Sequence, residues 1–237
     1  MNSVVANTRR PCKLPVPLLV SMLIAFCSIA HAAAEEFPAP DWLNREQVSE
    51  KMIINGIPSL VQHFESYKTI DELLEFYRKQ WNNTTSEKPG YREAHVPPWH
   101  IISRLDGSYL YTVQVQQYGA FSIRGYLAVA DLKAMQRSLK NDPPVPRMSG
   151  SKIINDVTSF DPGKKGRTLM LVNKYSVASN SSFYRNHYLE RGWKRLLDTD
   201  SENAFVMVFR KHTEEAHLVI TSTQGSTQIV MNIIEGI

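Results

Sequence analysis

The sequence predicts an α+β protein made of two related β-β-α-β-β(-β) units, with antiparallel sheet covered by one helix in each unit. Three observations predict it. First, Thr69–Trp81 and Ser176–Tyr188 repeat one pattern: a hydroxyl residue, an aliphatic, then Phe-Tyr-Arg at the same offset (Phe76-Tyr77-Arg78 and Phe183-Tyr184-Arg185). Second, the same constant spacing, without a gap, aligns the strand-like stretches that precede the two helices. Third, segments after each helix alternate apolar and polar residues, as Tyr111, Val113 and Val115 do against Thr112, Gln114 and Gln116, the period of a half-buried strand. An internal duplication accounts for all three.

The amino terminus is set apart. Arg9, Arg10 and Lys13 precede an apolar run, Val16–Ile29, and the small-residue motifs Ala30-His31-Ala32 and Ala32-Ala33-Ala34 follow. This is the tripartite pattern of a secretory signal. The run is shorter than the roughly 20 residues that span a bilayer, so residues 1–34 read as a cleaved signal peptide, with the mature chain starting near Ala33 or Glu35. Phe26 before Cys27 stands where a lipoprotein signal needs a small residue. The implied localisation is periplasmic or secreted, with no transmembrane span left after cleavage.

Removing that segment changes the charge argument. The chain carries 27 Lys and Arg against 23 Asp and Glu. Three of the cations lie in residues 1–34 and no acid does, which leaves 24 against 23. A near-neutral exported chain does not suggest a nucleic-acid partner. Cys12 and Cys27, the two cysteines, leave with the signal, so disulfide, thiolate and cysteine-metal chemistry leave with them.

Residues 35–49 begin Glu35-Glu36-Phe37-Pro38-Ala39-Pro40 and read as an extended leader, with Trp42 as the residue that docks it. The first repeat is placed at 50–140. Asn55-Gly56 between Lys51–Ile54 and Ile57–Glu65 signals a hairpin, because both turn residues tolerate positive φ. The helix over Thr69–Trp81 places Ile70, Leu73, Leu74, Tyr77 and Trp81 on one stripe. Thr69 and Glu72 have capping-box spacing, and Asp71 and Glu72 suit the positive end of the helix dipole. Asn82–Pro98 reads as a polar insert lacking in the second copy, so Trp99 is matched with Trp193. Tyr109–Gln117 is then matched with Ala204–Arg210, Phe121–Val129 with Ala216–Thr221, and Thr227–Ile234 is an added strand. Leu132, Met135 and Leu139 suggest a short helix.

A Pro-rich linker spans 141–150, and the second repeat occupies 151–237. Its hairpin turns through Asp161–Gly166. Its helix is poorer, since Asn180, Ser181 and Ser182 are mediocre helix formers and no Glu completes the cap. Gly192 is placed to close it in the left-handed conformation. The linker permits either two domains or one pseudo-symmetric domain, with a continuous sheet and both helices on one face.

The paired Phe-Tyr-Arg helices, Gly192-Trp193 and Gly166-Arg167-Thr168 resemble a type seen in uncharacterised exported proteins of Gram-negative bacteria. The resemblance covers most of residues 50–237. It implies a periplasmic protein and transfers no catalytic residue.

The remaining chemistry is sparse. The histidines of the mature chain (63, 95, 100, 187, 212 and 217) show no metalloprotease spacing, and no Gly-x-Ser-x-Gly elbow occurs. No catalytic residue, cofactor or metal site is expected. The candidate polar contacts are Arg78 and Arg185, kept by both copies, and Lys164, Lys165 and Arg167 on the basic hairpin turn. For the two arginines the alternatives are local contacts to an aromatic ring or strand carbonyl, or symmetric anion contacts. The basic turn suits a weak contact with an anionic membrane surface. Phe76, Tyr77, Phe183 and Tyr184 are expected in the core. The function expected is a non-catalytic envelope protein that binds another protein. The alternative is a small-ligand or envelope-polymer binding or processing protein with a cleft between the repeats.

Overall fold

The computed structural model describes residues 37–82, 90–134, 144–201 and 204–236. The expected signal peptide, Met135 and Leu139 of the expected short helix, and Asn141–Pro143 of the linker lie outside them. Two helices pack on one large antiparallel sheet. The first unit contributes β1 (Asn44–Gln47), β2 (Lys51–Ile54), β3 (Ile57–Ser66), α1 (Ile70–Trp81), β4 (Arg92–Val96), β5 (Trp99–Asp106), β6 (Tyr109–Tyr118) and β7 (Ser122–Asp131). The second contributes β8 (Lys152–Asp161), β9 (Lys164–Asn173), α2 (Val177–Glu190), β10 (Lys194–Ser201), β11 (Ala204–Lys211), β12 (Glu214–Thr223) and β13 (Ser226–Gly236).

The strand order is β10-β11-β12-β13-β9-β8-β2-β3-β7-β6-β5-β4, with β1 also on β3. Read from the centre outward, the two halves are the same: a hairpin strand, its partner, then the four post-helix strands in reverse. The units meet where β2 pairs β8 over Lys51–Ile54 and Val157–Phe160. Met52 lies opposite Ser159, its own counterpart in the repeat. Lys51 opposite Phe160 and Ile53 opposite Thr158 then exchange places under the repeat. A pseudo-twofold axis therefore passes between Met52 and Ser159, normal to the sheet.

Such an axis keeps both helices on one face, and the register agrees. Residues directly opposite on neighbouring strands point to the same side. Leu127, Val113 and Ile102 form one buried row beneath α1, and Phe64, opposite Gly125, lies on the same side next to it. Pro58 shares the side of Phe64 and lies opposite Ile53; Ile53 faces Thr158, and Thr158 faces Arg167. Arg167 is on the side of Leu169 and Leu171, in the core under α2. The continuous-sheet alternative is thus the one observed, with two separate cores beneath two helices.

Both helices follow the local chemistry. Thr69 accepts from Glu72 N, and the Glu72 carboxylate accepts from Thr69 N, completing the capping box. Ser176 Oγ accepts from Ser179 N and also hydrogen-bonds Ser179 Oγ, and with Ser179 in place of Glu72 no carboxylate completes the box. Gly192, at φ 78°, closes α2, with Trp193 N donating to Tyr188 O. The four buried positions of α1 (Leu73, Leu74, Tyr77, Trp81) fall on those of α2 (Asn180, Ser181, Tyr184, Tyr188) under the constant spacing. Phe76 and Phe183 are only partly buried against the cores, whereas Tyr77 and Tyr184 are fully enclosed.

After the helices the expected correspondence is wrong by one strand. The stretch read as an insert holds β4, which pairs with β5 through a turn at Pro97-Pro98. Each unit has four strands after its helix, and by position in the sheet β4, β5, β6 and β7 match β10, β11, β12 and β13. Trp99 opens β5, whereas Trp193 precedes β10, so the two tryptophans are not equivalent. β6 matches β12 rather than β11, and Thr227–Ile234 belongs to the counterpart of β7 rather than to an added strand. The reason is physical: all five residues of β4 are exposed, so an edge strand with no apolar face left no period to detect. Burial supports the corrected match, since Ile102, Val113 and Val115 stand where Met207, Leu218 and Ile220 stand, all fully enclosed.

The leader is also more structured than expected. β1 pairs with β3, and together with β2 it forms an interrupted strand corresponding to β8, which has its own register shift at Ile153/Asn155. Phe37 and Leu43 enter the first core, while Trp42 stays 36% exposed. Phe37 packs edge-on against Tyr77 and Tyr111. Of the expected short helix, the described residues Leu132–Ala134 form a turn. Of the linker, Val145 packs on the second core.

Gly125 shows how the units trade volume. A Cβ there would lie 1.9 Å from Gln114 O and 2.7 Å from the Phe64 ring. Phe64 needs the space above this glycine, its cross-strand partner; in the second unit Leu171 faces Ile229 instead.

The hydroxyls of Tyr77 and Tyr184 are buried and have no hydrogen-bond partner among the described residues. Burial raises the pKa of both, that of Tyr184 to about 12. A buried hydroxyl without a partner costs free energy, whereas the ring contributes by packing. Tyr77→Phe and Tyr184→Phe are expected to be neutral or to stabilise by up to about 1 kcal/mol, and Tyr184→Ala to cost about 3–5 kcal/mol. Urea unfolding checks this; a substantial loss in the phenylalanine variants would show that the hydroxyls are held.

Candidate interaction surfaces

The two repeated arginines occupy equivalent places and are already bound. Arg78 donates from Nε and Nη2 to the two Glu93 oxygens at 2.7 and 2.8 Å. Arg185 does the same to Asp198 at 2.8 and 3.0 Å, and its guanidinium lies 5.4 Å from the Phe205 ring centre. Glu93 is on β4 and Asp198 on β10, the two equivalent outer strands. Each arginine therefore ties its helix to the edge of the sheet by a bidentate pair, the geometry guanidinium favours. The anion contacts are symmetric, and both anions belong to this chain. Sequence reading missed the carboxylates because the match of β4 to β10 was hidden.

The basic turn separates into three environments. Arg167 is buried and bidentate to Asp156, at 3.0 and 2.7 Å. Asp156 N donates to Asn55 Oδ1, and Asn55 N donates to Asp156 O, beside the β2–β8 pairing. On the other side Ser49 Oγ donates to Phe160 O at 2.9 Å. Arg167 thus belongs to the seam between the units. Lys165 reaches Glu235 at 3.4 Å, and Lys164 is exposed at the turn.

The histidines take local roles. His63 approaches Glu46 at 3.3 Å, His217 approaches Glu215 at 2.9 Å, and the His95 and His100 rings stack across β4 and β5. Among the described residues no group of three or more His, Cys, Asp and Glu side chains is placed to hold a metal ion. No described helix is long and apolar enough to cross a membrane.

Neither described helix packs on the opposite face of the sheet; at its centre, by register, Met52, Ser59 and Val61 are buried, and its flanks are open. In the second unit it presents Val206, Val219, Val230 and Met170, paired in a row across four strands. Leu197 and Val208 lie beside that row. In the first unit it presents Trp99, Ile101, Leu105 and Tyr126, the last opposite His63. Leu105, Leu197, Val219 and Tyr126 are exposed at 61, 44, 38 and 38%.

No family model, no curated protein and no solved structure matches this chain.

The helix-to-edge pairs give a pH signature. Hydrogen bonding from Arg185, and then from Arg195, holds the Asp198 carboxyl below the usual carboxylate range; Arg78 does the same for Glu93. A carboxylate with a depressed folded-state pKa stabilises the fold above its unfolded pKa, about 4, and that contribution is lost as pH falls through the folded value. Asp198→Asn is expected to cost on the order of 1–3 kcal/mol at pH 7. Its difference from the parent should shrink as pH falls below about 4. Urea titrations across that range check it; a gap unchanged at low pH would assign the loss to packing instead.

Proposed function

We propose that this chain is an exported, non-catalytic envelope protein that binds a partner protein across the uncovered face of its sheet. One observation carries the reading: a sheet face twelve strands wide, on both flanks of which aromatic and aliphatic side chains are left half-buried or exposed. At about 4.8 Å per strand it extends roughly 50 Å. A surface of that width suits a protein and far exceeds a small molecule. Exposed apolar patches of large extent mark interaction sites, and the aromatic residues Trp99 and Tyr126 are the type that anchors them. The occupant inferred is an envelope protein with a complementary apolar surface, met after export directed by residues 1–34. The outer strands β4 and β10 end the sheet with edges available for strand addition, a secondary contact within the same reading.

The test uses the tagged chain expressed with its own signal and chemically crosslinked in its native envelope. Tyr126→Asp and Val219→Asp change exposed positions on the open face; Lys79→Glu, with a side chain 76% exposed on α1, is the control. A partner retained by the parent and the control and lost at least tenfold by both face variants is expected. Equal capture by all four chains would overturn the reading.

A further inference from the structure

A surface cavity of about 410 Å³ opens at one end of the second unit. Its walls are the entry to β8, the exit of β9 and the turn between β12 and β13. Among the described residues two lysines, Lys152 and Lys174, line it, and no acidic residue does. Neither lysine forms an ion pair with a described residue, in contrast to Arg78, Arg185, Arg167 and Lys165, which all face carboxylates. Two uncompensated cations on one concave wall favour an anion. The volume falls within the roughly 300–1,000 Å³ usual for ligand sites.

The lining surface is mostly apolar, with Val172 and Tyr175 among its residues, and lysine methylenes add apolar surface while the ammonium stays solvated. A bare inorganic anion would leave that surface unused. We infer that the cavity binds an amphipathic anion, a carboxylate or phosphate head joined to an apolar body.

The wall is built, not incidental. Asn173 is buried; its Nδ2 donates to Ser151 Oγ at 3.0 Å and Asn180 Oδ1 at 2.8 Å, and its Oδ1 accepts from Tyr175 N at 3.0 Å. Thr227 Oγ1 fixes Tyr175 from the other side by donating to its carbonyl at 2.6 Å. A wall held by satisfied buried amides loses little freedom when a ligand binds. Gly150 and Gly225 hold left-handed turns at φ 75° and 74°, and a Cβ on either would meet nothing within 4 Å, so both border open space.

The duplication supplies an internal comparison. Under the constant spacing Ser149 and Gly150 correspond to Trp42 and Leu43, Val172 to Glu65, and Lys174 to Tyr67. Lys152 corresponds to Arg45, which lines a smaller cavity of about 180 Å³ together with Glu46 and Glu65. In the first unit Leu43 is buried in the core, and a carboxylate and an aromatic replace Val172 and Lys174, so the cation left there has acidic neighbours. The same frame thus carries a cationic cavity in one unit only.

Decyl phosphate below its micelle concentration, inorganic phosphate, and vesicles with and without phosphatidylglycerol are the probes, applied to the exported chain in calorimetry and sedimentation. Decyl phosphate is expected to bind one per chain, at least tenfold tighter than inorganic phosphate. The Lys152→Glu/Lys174→Glu variant should weaken it at least tenfold, as should Ser149→Trp, which restores the bulk of the first unit. Both lysines are exposed, so the double variant retains its fold by thermal melt and decides the matter if Ser149→Trp does not. Lysine-dependent binding of decyl phosphate assigns a free ligand; lysine-dependent sedimentation with phosphatidylglycerol vesicles alone assigns a lipid headgroup. Binding of neither, binding indifferent to the lysines, or inorganic phosphate bound as tightly as decyl phosphate overturns the inference.

Discussion

The structure depends on a short antiparallel pairing between β2 and β8. Four residue pairs join two sheets into one, and one of them sets Met52 against its own counterpart, Ser159. Because the axis through that pair is normal to the sheet, the strand order is a palindrome and both helices fall on one side. One face is then covered twice, and the other is left as a single surface. The seam is short for what it joins, and polar contacts reinforce it on both flanks: Asn55 with Asp156 and Arg167 on one, Ser49 with the Phe160 carbonyl on the other. A duplicated unit that could not pair with itself in this register would expose the hairpin edges of β2 and β8.

Within the common frame the units are stabilised differently. α1 lays Leu73, Leu74, Tyr77 and Trp81 on its sheet, a conventional apolar stripe. α2 buries Asn180 and Ser181 in place of the two leucines. Asn180 Nδ2 donates to Asn173 Oδ1, Tyr175 O and Ser176 O, so a satisfied polar network replaces hydrocarbon. Buried networks of this kind specify geometry when complete and are costly when broken. Aromatic stacking compensates farther along, where Tyr188 lies parallel to Phe209 at 4.8 Å and edge-on to Trp193 at 5.1 Å. The polar network of the second unit is also what holds the wall of its cationic cavity.

The sequence disclosed these features unevenly, for identifiable reasons. The hairpins and helices were legible because turn residues and caps act locally: Asn55-Gly56, Thr69 with Glu72, and Gly192 each adopt the conformation their chemistry favours. The repeat was legible as far as the helices because Tyr77 and Tyr184 are held by the same packing. It became illegible at β4, where Arg92–Val96 has no buried face and the prolines that make the turn into β5 imitate a linker. From that point the two copies drift out of constant spacing, and matching Trp99 to Trp193 followed surface likeness instead of sheet position. The partners of Arg78 and Arg185 were hidden by the same slip. The open face was legible only as alternation, because which side of a strand a helix covers is decided by the register of the whole sheet. The cavity at Lys152 and Lys174 gave no motif, since its residues come from three separate turns.

The register at the seam admits a direct measurement. Directly opposed residues in an antiparallel pair have Cα atoms about 4.5–5.5 Å apart, within the range a disulfide spans. With Cys12 and Cys27 replaced by serine, Met52→Cys/Ser159→Cys introduces the two cysteines of an otherwise cysteine-free chain. Mild oxidation should close an intramolecular disulfide in this variant, seen as loss of free thiol at unchanged monomer mass. Met52→Cys/Thr158→Cys, which points its thiols to opposite faces, should stay reduced under the same conditions. Failure of the first pair to close, or equal closure of both, would contradict the seam and with it the pseudo-twofold arrangement of the molecule.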